Sequence, residues 1–202
     1  MQNIKIEGVG TISGGDYEMV RVDGVGKCEG NLQAQSIDIN GTFKCLGAVK
    51  TDLFDCDGAT ELRANLFAKK IIVDGSLVVK NGTKIEAEKI DCDGSIKVVD
   101  GQISADIIKS DGYIYAREIV GDQIRIHSRI SRFVKWFNGS FSNVELIEAT
   151  NIELRGVYAK EVNGEQIIIG PRCEIDRVDC SGTLTIDPTA TVKEITGNYK
   201  ML

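Results

Sequence analysis

A glycine returns along this chain at a nearly fixed interval, each time in the same small frame. The copies read Ile4-Lys5-Ile6-Glu7-Gly8, Val20-Arg21-Val22-Asp23-Gly24, Ile37-Asp38-Ile39-Asn40-Gly41 and Phe54-Asp55-Cys56-Asp57-Gly58. Three more follow: Ile71-Ile72-Val73-Asp74-Gly75, Ile90-Asp91-Cys92-Asp93-Gly94 and Ile108-Lys109-Ser110-Asp111-Gly112. Successive glycines lie 16, 17, 17, 17, 19 and 18 residues apart. A unit this short cannot bury a core alone and must stack on its neighbours, so the chain is expected to form a solenoid.

The positions four and two before the glycine are apolar in every copy but the last, where Ser110 stands, and in most copies so are those two and four after it. A period of two means a strand with one face turned inward. Asp or Asn followed by Gly reads as a corner needing φ > 0. A third short segment closes each unit, as in Gly30-Asn31-Leu32-Gln33-Ala34 and Gly47-Ala48-Val49-Lys50-Thr51. Three strands per turn predict an all-β fold: a single-domain parallel β-helix with triangular coils of about 17–18 residues. Its core would be ladders of like residues, one of them Val20, Ile37, Phe54, Ile71, Ile90, Ile108 and another Leu32, Val49, Leu66, Ile85, Ile103. The inward positions step by 6, 6 and 5 (Val20, Gly26, Leu32, Ile37), unlike the strict hexapeptides of left-handed coils, and a right-handed coil is expected.

The frame breaks after Gly112. Regular coils are expected over 4–126, an insertion over 127–148, resumed coils over 149–195 and a C-terminal tail over 196–202. Ala116-Arg117-Glu118-Ile119 and Ala159-Lys160-Glu161-Val162 read as equivalent pieces of successive units on either side of the insertion. Inside it, Ile130, Phe133, Val134 and Phe137 follow helical spacing, with Arg129, Arg132 and Lys135 opposite and Trp136 at the border. This predicts a short basic amphipathic helix that needs a surface: the solenoid itself, a membrane interface or a partner.

The formal charge of −6 argues against a nucleic-acid partner. No apolar run reaches the length of a signal peptide or a membrane span, which predicts a cytoplasmic chain, with membrane contact confined to 129–137. Of the six cysteines, Cys28, Cys45, Cys56 and Cys92 occupy core positions that Leu62, Val79 or Ile39 fill in other copies, and no Cys-x-x-Cys pair suggests zinc. They are read as reduced core residues. The Asp/Asn row before the glycines (Asp23, Asn40, Asp57, Asp74, Asp93, Asp111) offers one side chain per coil and reads as turn chemistry ahead of a cation site. The one histidine, His127, shows no partner in a catalytic frame and reads as an exposed turn residue. No catalytic residue, cofactor or metal is expected. The first frame starts at Ile4, which leaves no room for a cap, so Ile4, Ile6 and Ile12 are the candidate assembly surface.

The frame of β-branched residue, x, apolar, Asp/Asn, Gly, together with the Ala-Lys/Arg-Glu-Ile/Val element, resembles the bactofilins, bacterial polymer-forming cytoskeletal proteins. The likeness is to the larger Firmicute-type members, whose interrupted solenoid is followed by a stretch similar to Ile167-Ile168-Ile169-Gly170-Pro171-Arg172-Cys173-Glu174-Ile175-Asp176-Arg177-Val178. The resemblance covers about residues 4–195. It implies a right-handed β-helix that self-assembles without nucleotide into filaments and positions other proteins in cell shape, wall synthesis or motility. The partners implied are further copies of the chain, with a related chain as a second possibility. Two other readings are a non-polymeric adaptor, similar in architecture to the C-terminal domain of the septum-site inhibitor MinC, and a hexapeptide-type acyltransferase working through His127.

Overall fold

The computed structural model describes residues 2–80, 83–128 and 142–202. The first coil carries β1 (Gln2–Ile6) and β2 (Val9–Ile12). The next five pair a long strand with a short one: β3 (Gly15–Val22) with β4 (Val25–Cys28), β5 (Leu32–Ile39) with β6 (Thr42–Cys45), and β7 (Val49–Cys56) with β8 (Ala59–Leu62). β9 (Leu66–Val73) with β10 (Ser76–Val79) and β11 (Lys84–Cys92) with β12 (Ser95–Val98) continue the series. After β13 (Gln102–Ser110) the strands lengthen: β14 (Tyr113–His127), β15 (Ser142–Arg155), β16 (Val157–Ile169) and β17 (Glu174–Ile186). β18 (Thr191–Thr196) and β19 (Lys200–Met201) complete the last coil. Every strand pairing is parallel, and no helix occurs among the described residues. The fold is a parallel β-solenoid of about 11 turns.

Both expected ladders form. The first runs in register from Ile4 through Val20, Ile37, Phe54, Ile71, Ile90 and Ile108 to Ile124, Ile152, Ile167, Leu184 and Met201. The second runs from Leu32 through Val49, Leu66, Ile85 and Ile103 to Ile119, Ile147, Val162, Val178 and Ile195. Between the end rungs these side chains are almost wholly withdrawn from water. Each fully buried aliphatic contributes about 1.5–3 kcal/mol, which is what holds coils that have no individual core. Two of the few buried polar side chains are satisfied within the coils: Thr51 Oγ1 donates to the Leu53 carbonyl at 2.9 Å, and Thr60 Oγ1 meets Cys56 Sγ at 3.3 Å. All six cysteines are free and buried.

The repeat glycines do not serve as expected. None of Gly24, Gly41, Gly58, Gly75, Gly94 and Gly112 has positive φ. A Cβ added to Gly41 would stand 2.0 Å from the Gly24 carbonyl oxygen, and the same 2.0 Å recurs up the column through Gly112. Glycine is required because successive coils bring their corner backbones too close for any side chain. Those carbonyls cannot move aside, since they accept inter-coil bonds such as Ser76 N–H to Gly58 O at 2.8 Å.

The break in the frame is a change of corner. In an early coil the inward residues are Leu32, Ala34, Ile37, Ile39, Phe43, Cys45 and then Val49. Steps of two along each face alternate with corner steps of three, four and four, giving 17 residues. Between β15 and β16 the series is Ile147, Ala149, Ile152, Leu154, Val157, Ala159 and then Val162. Every corner is now three residues and the coil has 15: Arg155-Gly156, with Gly156 at φ 61°, replaces the Asx-Gly corner between β15 and β16, and the strand runs on round the next corner from Ala159 to Val162.

Three boundaries are corrected accordingly. His127 ends β14, and β15 begins at Ser142, so residues 127, 128 and 142–148 belong to the coils, and of the expected insertion only 129–141 lie outside the described residues. The two Ala-Lys/Arg-Glu elements are not in successive units, because β15 lies between them, pairing Ala116 with Val144 and Val144 with Ala159. The C-terminal segment adds a rung, with Lys200 and Met201 opposite Thr183 and Leu184.

Candidate assembly surface

At the N-terminal end, the three residues expected to form the surface separate by depth. Ile6 is buried inside the first coil, whereas Ile4 and Ile12 are half-buried and pack on the core from one side. Nothing among the described residues pairs with the outer edges of β1 and β2. Val9, on the outward face of β2, is 89% exposed, the largest value for a bulky apolar residue among the described residues. At the opposite end Val192 and Ile195 are half-buried, and Met201, the last rung of the first ladder, is 52% exposed. Val9 and Met201 escape sequence reading: one points outward in a strand of the right period, and the other lies in a segment with no repeat frame.

The flanks are charged and internally paired. Asn40 Nδ2 donates to Asp23 at 2.9 Å and to Asp38 at 3.1 Å. The Arg21 guanidinium and the Asn40 amide beside Asp23 hold its carboxyl down at about 2. Lys80 and Lys44 from the coils on either side do the same for Glu61, also to about 2. Further along, the acids face one another. Burial first, then the neighbouring Asp57, Asp38 and Asp74, pushes the Asp55 carboxyl up. Among the described residues no three His, Cys, Asp or Glu side chains converge as a cation site, and the Asx row is a ladder of corners.

His127 is not the exposed, unpartnered residue expected from sequence. Its side chain is 17% exposed, with Nε2 at 2.9 Å from Glu153 and Nδ1 at 3.8 Å from Asp111. Arg125 and Arg155 pair with the same two acids at 3.3 and 3.2 Å. The imidazole therefore lies between the coils before and after its own, and Ser128 and Ser142 are engaged with each other. Ser128 Oγ and Ser142 Oγ bond each other at 2.7 Å, and Ser142 Oγ accepts the Ile114 N–H at 2.9 Å. This pair joins the residue after β14 to the first residue of β15. His127→Ala is expected to lower stability by about 1 kcal/mol, read by thermal denaturation. No measurable change would show the bridge to be idle. The candidate membrane or partner patch (Arg129, Ile130, Arg132, Phe133, Lys135, Trp136, Phe137) lies outside the described residues. Among the described residues no helix is long and apolar enough to cross a membrane.

Among curated proteins the chain is similar to "Uncharacterized protein YhbE" of Bacillus subtilis (strain 168), 39% identical over 103 residues. The match takes in 48% of this chain and 44% of the relative, less than half the relative's length. No family model matches the chain, and no solved structure does.

Proposed function

We propose that the chain is a self-assembling scaffold of the bactofilin kind, which polymerises without nucleotide by stacking coils end to end and positions other proteins along its length. The observation that carries this reading is the state of the two end rungs. Ile4 and Ile12 at one end, and Ile195 and Met201 at the other, continue ladders that are sealed everywhere between them. A junction between two ends buries these apolar side chains and pairs a row of open backbone groups. Those two gains drive the stacking of coils within the chain. No ATP or GTP is needed for either gain.

The test is negative-stain electron microscopy with sedimentation of the purified chain, without nucleotide, over a concentration series. Filaments that appear above a threshold concentration and lengthen beyond it are expected. Uniform small particles at every concentration would overturn the reading and favour the adaptor. Ile4→Lys is the diagnostic variant, because Ile4 is half-exposed and Ile6 is not. It should keep the wild-type circular dichroism and lose assembly, since a junction would have to bury the ammonium. A folded Ile4→Lys chain that still assembles normally would remove the β1 edge from the junction.

A further inference from the structure

The inward column along the short strands reads Ile12, Cys28, Cys45, Leu62, Val79 and Val98. At one step only, two sulfurs fall on neighbouring rungs: β4 and β6 pair in register with Cys28 opposite Cys45. In-register neighbours on adjacent strands stand about 4.8 Å apart, inside the Cα separation of about 4.4–6.8 Å that a disulfide spans. The two thiols also converge on one acceptor. Cys28 Sγ lies 3.2 Å and Cys45 Sγ 3.6 Å from the carbonyl oxygen of Gly30. The remaining cysteines have no such neighbour. Cys56 is flanked by Ile39 and Val73, Cys92 by Val73 and Ser110, and Cys180 is opposite Gly164. Cys173 lies just ahead of β17.

We infer that Cys28 and Cys45 form a redox pair, which a hydroperoxide converts to a disulfide stapling the second coil to the third. The Cys28 thiolate attacks one oxygen of the hydroperoxide, the O–O bond breaks, and an alcohol leaves Cys28 as a sulfenic acid. The Cys45 sulfur then attacks Cys28 Sγ, the S–O bond breaks, and water leaves as the S–S bond forms. Two thiols and one hydroperoxide give one disulfide, one alcohol and one water, with two electrons passed from the sulfurs to the O–O bond.

The surroundings favour Cys28 as the first to react. The Cys45 thiol beside it draws Cys28 down, while the same pairing and then burial push Cys45 up. At the isolated positions burial dominates, pushing Cys92 up to about 12 and raising Cys56 and Cys173. Both paired sulfurs are sealed from water, so oxidant reaches them when the N-terminal coils open. In a solenoid the coils near an end open most readily, each having neighbours that are themselves near the edge. Closing one coil's length of chain with a covalent link then opposes that opening.

The whole reduced chain is treated with hydrogen peroxide under native conditions, denatured in alkylating agent, and mapped without reduction by mass spectrometry. The expected product has four alkylated thiols and one link, Cys28–Cys45, which dithiothreitol reverses. Proteolysis within the N-terminal coils should slow about tenfold in the linked chain. Cys45→Val, the residue found at Val79 and Val98 in the same column, should fold normally, form no link and show no such protection. Six alkylated thiols after peroxide would overturn the inference. So would a link to another cysteine, an over-oxidised Cys28 without a link, or a linked chain cleaved as fast as the reduced one.

Discussion

Gly75→Ala is expected to destabilise the solenoid by at least about 3 kcal/mol, whereas Gly8→Ala changes stability by less than about 0.5 kcal/mol. The two substitutions are chemically identical and occupy the same place in the repeat. At Gly75 the new methyl would stand 2.0 Å from the Gly58 carbonyl oxygen and 2.4 Å from that of Asp57, with no flexible side chain to yield. At Gly8, the corner of the first coil, nothing lies within 4 Å. A positive-φ requirement would penalise both positions alike; coil stacking penalises only the one with a coil beneath it. Urea denaturation followed by circular dichroism measures the contrast. Equal losses at the two sites would disprove the stacking account of the glycine column.

A second pair of adjacent residues should behave in opposite ways. Ile71 is sealed in the first ladder between Phe54 and Ile90, and Ile71→Lys places an ammonium where no counter-charge or water can reach it. A loss above about 4 kcal/mol, or failure to fold, is expected. Ile72 points outward between Asp55 and Asp91, which pair with it in register from the coils on either side. Ile72→Lys puts a cation between two carboxylates, one of which is already pushed up by burial and by other acids. This variant should be neutral or more stable by up to about 1 kcal/mol, with the gain fading at high salt. Denaturation midpoints at low and high ionic strength report both results. Comparable damage from both substitutions would mean that the inward and outward assignments are wrong.

The inward and outward assignment was legible because alternation is a local property: whether Ile71 or Ile72 faces the core depends on the period-two frame around it. The cysteines were legible for the same reason, since each sits where another copy has an aliphatic. The corner glycines were recognised for the wrong reason, because positive φ and close backbone approach select the same residue and leave the same mark in a sequence. His127 was misread because its partners, Asp111 and Glu153, are brought to it by coil stacking across 16 and 26 residues, the second span including the interruption. The later coils were hard to follow because a corner shortened by one residue deletes the Asx-Gly frame while keeping the inward ladder intact.

Local pattern thus dictated the strands, the solenoid and most rungs of its two main ladders, since these follow from spacing along one chain. The spacing between coils required the folded molecule. It excludes every side chain at the glycine column, turns late corners in three residues and sets His127 between two acids. It also lays Cys28 against Cys45, and leaves Ile4 half-exposed while Ile6 is buried. Each of these depends on distances between residues a full coil apart, and such distances exist only once the coils have stacked.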